Sequence, residues 1–318
     1  MSDDAIVVEN LTKKFGAFTA VDHINFSVKR GEIFGFLGAN GAGKSTAIRM
    51  LCGLLQPTSG TATVGGFDIN TQTERVKLNI GYMSQRFSLY NDLTVEQNIR
   101  FFGGLYALSD SRLLDRMRWV VEMAGLKGRE TTLTRDLSGG WKQRLALGCA
   151  VLHEPPVVFL DEPTGGVDPI SRRNFWELIN QLSAGGTTVL VTTHFLDEAE
   201  YCNDIIMINA GKLFAAGSPT RLKTDYIRHP ILEVSFGNGN VVDALETVRA
   251  QPWAIGTSVF GTKLHVMVED EIEGKRLLTR FLRGKGIDVF AVERIMPSLE
   301  DVFLHLLDQQ AGVDMVKA

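Results

Sequence analysis

Apolar and polar positions follow one rhythm over the first two thirds of the chain and another over the last third. Residues 6–15 (IVVENLTKKF) and 23–31 (HINFSVKRG) mix β-branched and polar residues in runs that predict strands ending in turns. Residues 32–38 (EIFGFLG) form a short apolar run entering a glycine-rich loop, and residues 45–55 (STAIRMLCGLL) carry apolar positions at helical spacing, stopping near Gly53 and Pro57. Residues 155–163 (PPVVFLDEP) and 186–194 (GTTVLVTTH) are continuous β-branched-rich runs bounded by Pro or Gly. Such runs predict strands buried on both faces, as in a parallel sheet covered by helices. Helical spacing recurs over 94–108, 111–126 and 171–182. The mostly helical stretch from about Arg86 to Arg135 interrupts the strand–helix alternation and reads as an inserted helical subdomain.

From about Asp225 the order changes. A strand (231–236), a helix (241–251), a hairpin split at Phe260-Gly261-Thr262, a helix (273–286) and a strand (287–295) precede a closing helix with Ser298 as N-cap. The order β-α-β-β-α-β suggests a ferredoxin-like domain. The expected domains are therefore 1–224 and 225–318, which agrees with the prior of about two domains for 318 residues.

Composition narrows the classes. An apolar fraction of 44% with 22% charged residues is ordinary globular usage and excludes a disordered chain. Thirty-three Lys and Arg against 37 Asp and Glu give −4, which leaves no electrostatic footprint for general nucleic-acid binding. No run approaches the ~20 apolar residues of a membrane span, and the acidic start MSDDAIVVEN lacks the pattern of a secretory signal. Cys52, Cys149 and Cys202 lie far apart without CxxC spacing, as expected of reduced, buried residues in a cytosolic protein. Glycine is in excess, 32 of 318 residues against a typical ~7%.

Part of that excess carries chemistry. Gly38-Ala39-Asn40-Gly41-Ala42-Gly43-Lys44-Ser45-Thr46 fits G-x-x-x-x-G-K-[ST], with a strand before it and a helix after. Glycines without Cβ let backbone N–H groups turn inward around a phosphate, and the helix start adds partial positive charge. Lys44 then bridges the β- and γ-phosphates, and the Ser45 hydroxyl is suited to Mg²⁺. Residues 157–162 (VVFLDE) form an apolar strand ending in two carboxylates. Asp161 suits a Mg²⁺ contact, and Glu162 suits a general base that takes a proton from an attacking water. A second small-residue entry to a helix, Ser138-Gly139-Gly140 within LSGGWKQ, offers a hydroxyl and backbone N–H groups to an anion, although Ser138 alone reads equally as an N-cap.

Together these residues resemble the nucleotide-binding subunit of ABC transporters. GANGAGKST resembles the Walker A motif, LSGGWKQ the signature, VVFLDE Walker B, Gln85 the Q-loop residue, GGVD (165–168) the D-loop, and His194 the switch histidine, in family order over roughly residues 5–222. The resemblance implies an α/β P-loop NTPase of the ABC ATPase type. It has a mostly parallel sheet, N-terminal antiparallel strands and an inserted helical subdomain, followed here by the small ferredoxin-like domain. It implies ATP and Mg²⁺ as ligands, with Phe15 stacking on adenine. Gln85 senses Mg²⁺ and the attacking water, and His194 contacts the γ-phosphate. It also implies a head-to-tail homodimer in which Ser138, Gly139 and Gly140 act on the γ-phosphate of nucleotide held by the second ATP-binding subunit, and it keeps Asp168 of the D-loop among the nucleotide-binding residues. Two positions depart from the family pattern. Trp141 stands where Gln is usual, a change that leaves the Ser138 and Gly139 donors in place, with an exposed indole that packs on a partner as the alternative reading, and Gly165 stands where Ser is common.

Residues 86–102, 161–173 and 193–203 and the ending PSLEDVFLHLL resemble exporter ATPases of the daunorubicin-resistance and multidrug type. That resemblance implies a separately encoded membrane permease, a peripheral place on the cytoplasmic face of the cell membrane, and no nucleic-acid partner. Phe87, Leu89 and Tyr90 lie where relatives dock a permease and fit ordinary core equally well. Two other readings stay open: a nucleic-acid-associated ABC ATPase of translation or repair, and an ATPase regulated by a small ligand on residues 225–318.

Overall fold

The computed structural model describes residues 3–85, 89–237 and 241–317. The chain divides into two compact units, Met1–Ser218 and Pro219–Ala318.

In the first unit, β1 (Asp4–Phe15) and β2 (Phe18–Lys29) pair antiparallel and turn over on Gly16 and Ala17, which places Phe15 opposite Phe18. The order continues with β3 (Ile33–Leu37), α1 (Lys44–Leu51), β4 (Ser59–Val64), β5 (Phe67–Asp68), α2 (Thr73–Leu78) and β6 (Ile80–Met83). Then come α3 (Val95–Leu105), α4 (Asp110–Met123), α5 (Gly139–Ala150), β7 (Val157–Asp161), α6 (Pro169–Ala184), β8 (Thr188–Thr193), β9 (Asp204–Asn209) and β10 (Lys212–Gly217).

Two sheets result, one antiparallel in the order β2-β1-β4-β5 and one in the order β10-β9-β3-β8-β7-β6. The second is parallel apart from the β10–β9 pair. Every residue of β3, β7 and β8 is buried, which is why these strands read as unbroken apolar runs. Ile6, Leu11 and Ile24 of the antiparallel sheet pack with Phe36, Ile48 and Phe159 in one core that seats α1 between the sheets.

Helical residues do fill the interruption, as α3 and α4. Thr94 starts α3 with a capping box, its Oγ1 accepting from Gln97 N at 3.2 Å while its N–H donates to Gln97 Oε1 at 2.9 Å. The fully buried Asn98 donates to Tyr90 O and Thr134 Oγ1, tying both ends of the insertion to α3.

The second unit runs α7 (Pro219–Tyr226), β11 (Ile231–Phe236), α8 (Val241–Arg249), β12 (Ala254–Phe260), β13 (Lys263–Val268), α9 (Glu271–Gly284), β14 (Val289–Ile295) and α10 (Leu299–Lys317). Its sheet order is β12-β13-β11-β14 with every pair antiparallel, the split β-α-β arrangement of a ferredoxin-like unit. Ser298 Oγ accepts from Asp301 N at 3.1 Å and caps α10. The compact units part at Ser218/Pro219, so α7 goes with the second unit instead of ending at the boundary read after residue 224.

The three cysteines are buried and unpaired, and burial pushes the Cys149 and Cys202 thiols well up. Among the described residues no helix is long and apolar enough to cross a membrane.

Candidate nucleotide site

Strands β3, β8, β7 and β6 are parallel neighbours, so their C-terminal ends lie along one edge of the sheet, where ligands of open α/β sheets bind. From that edge emerge the loop of Gly38 to Gly43, then His194, Asp161 with Glu162, and Gln85.

The loop is built for backbone. Gly43 precedes α1 with φ of 110°, and a Cβ there would run into the Ala20 carbonyl; a Cβ on Gly38 would run into the Ile208 carbonyl. Lys44 begins α1 with its side chain only 4% exposed. Its Nζ donates to Gly38 O at 2.8 Å and Ala39 O at 3.2 Å, and stands 3.1 Å from Glu162 Oε1.

The two carboxylates at the end of β7 are held differently. Asp161 is buried, and its Oδ1 accepts from Ser45 Oγ at 3.0 Å and Thr192 Oγ1 at 2.8 Å. Glu162 has a left-handed backbone, φ 48°, an uncommon state for a non-glycine residue that costs of order 1–3 kcal/mol. Its N–H donates to Thr192 Oγ1 at 2.9 Å, which locks that turn. The turned side chain gathers the remaining site residues. Gln85 Nε2 donates to Glu162 Oε2 at 2.9 Å, and His194 Nδ1 lies 3.4 Å from the same oxygen.

Phe15, Phe18, Asn40, Lys44, Thr46 and Gln85 help line a cavity of about 310 Å³ over this edge. Gly41, Gly43, Ser45 and Glu162 line it as well. Phe15 is half exposed, with Lys13 Nζ 5.2 Å from its ring centroid. Two of the neighbouring residues were not anticipated from the sequence. Phe18 becomes a second aromatic wall through its pairing with Phe15 across the Gly16-Ala17 turn, and Thr192 clamps both Asp161 and Glu162.

For Mg²⁺, the Ser45 hydroxyl, the Asp161 carboxylate and the Gln85 amide offer the hard oxygen donors the ion prefers. Ser45 and Asp161 already touch through their oxygens. Among the described residues no cluster of three His, Cys, Asp or Glu could hold a metal alone.

Ser138, Gly139 and Gly140 do not line this cavity. Ser138 occupies the N-cap position of α5 without making a side-chain cap bond; it and Gly139 are exposed. Gly140 is buried, and a Cβ there would come within 2.6 Å of Ser171 Oγ. Asp168 is exposed and caps α6, its Oδ1 accepting from Ser171 N at 2.9 Å; the Ser171 hydroxyl first, and then this N–H, lower its carboxyl below the usual range.

Trp141 corrects the expectation of an exposed indole: it is partly buried, with the Arg129 guanidinium stacked 4.1 Å from the ring centroid of the same chain. Leu89 is buried, whereas Tyr90 is half exposed and meets Phe101 edge-on at 4.7 Å; Phe87 lies outside the described residues.

Comparison with known proteins gives a consistent picture. A family model described as ABC transporter matches residues 21–165. The chain is 52% identical over 238 residues to the Escherichia coli K12 protein named "Probable multidrug ABC transporter ATP-binding protein YbhF", over 74% of this chain and 41% of that one, so it spans well under half of that relative. It is 37% identical to a Nod factor export ATP-binding protein I of Cupriavidus metallidurans, covering 95% of this chain and 97% of that one. It is 36% identical to the daunorubicin resistance ATP-binding protein DrrA3 of Streptomyces coeruleorubidus, covering 96% of each. A solved ATP-binding subunit of an ABC transporter superposes with a TM-score of 0.64 at 30% identity, covering 70% of this chain and 93% of that one. The dimeric ATP-binding cassette MJ0796 bound to ADP and Pi gives 0.62 at 27% identity over 67% of this chain and 98% of that one. With the phosphate loop, the paired carboxylates and full-length relatives above 30% identity all in agreement, the chain belongs to the ATP-binding proteins of ABC transporters.

Proposed function

We propose that the chain is the ATP-hydrolysing subunit of an ABC exporter whose membrane permease is a separate polypeptide, and that it works at the cytoplasmic face of that membrane. The first unit is the nucleotide-binding domain. Backbone N–H groups of the loop containing Gly38, Asn40, Gly41 and Gly43 would cradle the phosphates, with Lys44 on the β- and γ-phosphates and Phe15 and Phe18 beside the base. Ser45, Asp161 and Gln85 would hold Mg²⁺, which supplies charge neutralisation to the transferred phosphoryl group. Glu162 orients and deprotonates the attacking water, and His194 and Gln85 fix its carboxylate.

The observation that carries this reading is the convergence of Lys44, Gln85 and His194 on the two oxygens of one strained glutamate. An acid that only closed a turn would not need three partners from three other segments.

The exposed Ser138 and Gly139, which do not line the cavity, support action on nucleotide held by a second copy in a head-to-tail homodimer. Relatives named for export support transport outward. The half-exposed Tyr90, five residues after Gln85 and set against Phe101, supports a permease contact there. The test is phosphate release by the full chain with Mg²⁺ and ATP, alone and in membranes containing its permease. Turnover that rises with the permease and disappears without Mg²⁺ agrees with the proposal; a chain that binds ATP but never releases phosphate in either setting contradicts it.

A further inference from the structure

Glu198 is a buried acid, 1% exposed, that neither the motifs nor the cavity lining accounts for. Its Oε1 accepts from Thr164 Oγ1 at 2.5 Å and its Oε2 from Thr193 Oγ1 at 2.7 Å. Both threonines are buried. Thr164 lies two residues after Glu162, and Thr193 lies directly before His194. The backbone ladder between β7 and β8 has its last pair at Asp161 and Thr192, so Thr164 and Thr193 lie past the point where the sheet fixes the spacing of the two strands. Beyond that point the Glu198 carboxylate links the loop after Glu162 to the end of β8.

Arg172, in the first turns of α6, completes the cluster. Its Nε stands 3.4 Å from Glu198 Oε1, and its guanidinium lies 4.2 Å from the ring centroid of Phe195. The Phe195 ring in turn stands 4.1 Å from that of His194. The helix bearing Arg172 is the one capped by Asp168. Burying a carboxylate is unfavourable unless it is paired and hydrogen-bonded, and Glu198 has both an ion partner and two hydroxyl donors.

We propose that Glu198 is a positioning residue for hydrolysis: it holds the loop after Glu162 to the end of β8 and so sets where His194 stands against Glu162. This deepens, and rests on, the reading of Glu162 as the base and His194 as its partner. Glu198 touches no reacting atom; it acts through the loop and the strand end it joins. A displacement of about 1 Å between catalytic groups lowers turnover by roughly 100-fold, so an anchor at this point matters.

The test is steady-state ATP hydrolysis by the full chain. The double variant Thr164→Val, Thr193→Val removes both hydroxyl donors at constant shape, and Glu198→Gln removes the charge as a second route. Both are expected to lower kcat about tenfold to 100-fold with KM for Mg-ATP within about twofold. Thr164→Ser with Thr193→Ser keeps both donors and should restore the wild-type rate. In a His194→Ala background the valine pair should cause no further loss, because its effect passes through the geometry of that residue. Wild-type kcat in both the valine pair and Glu198→Gln would overturn the proposal, as would the same fold loss in the presence and absence of His194. Glu162→Gln serves as the control for the underlying reading. If that variant hydrolyses ATP normally, the assignment of the base has failed; if it does not, while the valine pair is fully active, only the role of Glu198 has failed.

Discussion

Lys44 Nζ lies 3.1 Å from Glu162 Oε1, with the two side chains 4% and 8% exposed. The lysine of the phosphate loop and the acid at the tip of β7 therefore form a buried pair across the site. A triphosphate entering the loop would compete with Glu162 for this ammonium, which would tie nucleotide binding to release of the Glu162 carboxylate.

Lys44→Ala should weaken ATP binding about tenfold to 100-fold, the value of one charge-assisted hydrogen bond to phosphate. Titration with a fluorescent ATP analogue checks this, and unchanged affinity would show that Lys44 belongs to Glu162 alone.

Gly43→Ala tests the shape of the loop. At φ of 110° an alanine is strained by roughly 1–3 kcal/mol, and its Cβ meets the Ala20 carbonyl. The variant should lose nucleotide binding and melt several degrees lower, whereas Gly139→Ala, with nothing within 4 Å of the added carbon, should melt as the wild type does. Thermal unfolding of the two variants side by side decides it.

The signature substitution has its own outcome. Because Trp141 stacks under Arg129 within its own chain, Trp141→Gln should cost only about 0.5–1 kcal/mol of stability and leave ATP turnover within a few-fold of wild type. Loss of dimer formation in this variant would instead assign the indole to the subunit interface.

Much of this was legible because the chemistry is local in sequence. The loop from Gly38 to Thr46 and the strand ending at Asp161 and Glu162 are contiguous, and their apolar flanks announce strands buried on both faces. What escaped was non-local. Strand β4 (SGTATV) has little apolar alternation and owes its state to pairing with β1, while β9 is an apolar run with no motif attached to draw attention to it. Phe18 enters the site only once the hairpin places it opposite Phe15, and Thr192 acts through a neighbouring strand. The partial cover of Trp141 is likewise not legible locally, because its stacking partner, Arg129, comes from the segment before α5 and not from the helix itself.

The second unit carries a pH signature. His265 is buried in β13 with Nδ1 2.8 Å from Asp301 Oδ1 and Nε2 3.3 Å from Glu233 Oε2. Burial disfavours its charged form, but the hydrogen bonds and charges of Asp301 and Glu233 outweigh burial and raise its pKa above the ordinary value. A raised histidine contributes stability that is complete below the unfolded value of about 6.5 and is lost as pH climbs through the folded value. Asp301 and Glu233 are lowered, so their contribution is lost at the opposite end, as pH falls through their folded values. Melting of the full chain should thus show a transition that falls in temperature from neutral to alkaline pH, and His265→Asn should flatten that slope. An unchanged slope would remove His265 from the account.

The central claim is that Glu162 is the base that destroys ATP after two subunits close on it. The most direct measurement is single-turnover hydrolysis of radiolabelled ATP by Glu162→Gln in the presence of Mg²⁺, with the mass of the complex followed by light scattering. The account expects hydrolysis at least about 100-fold slower than wild type, with ATP retained in a stable dimer. Wild-type hydrolysis by the variant, or ATP retained on a monomer, would contradict it.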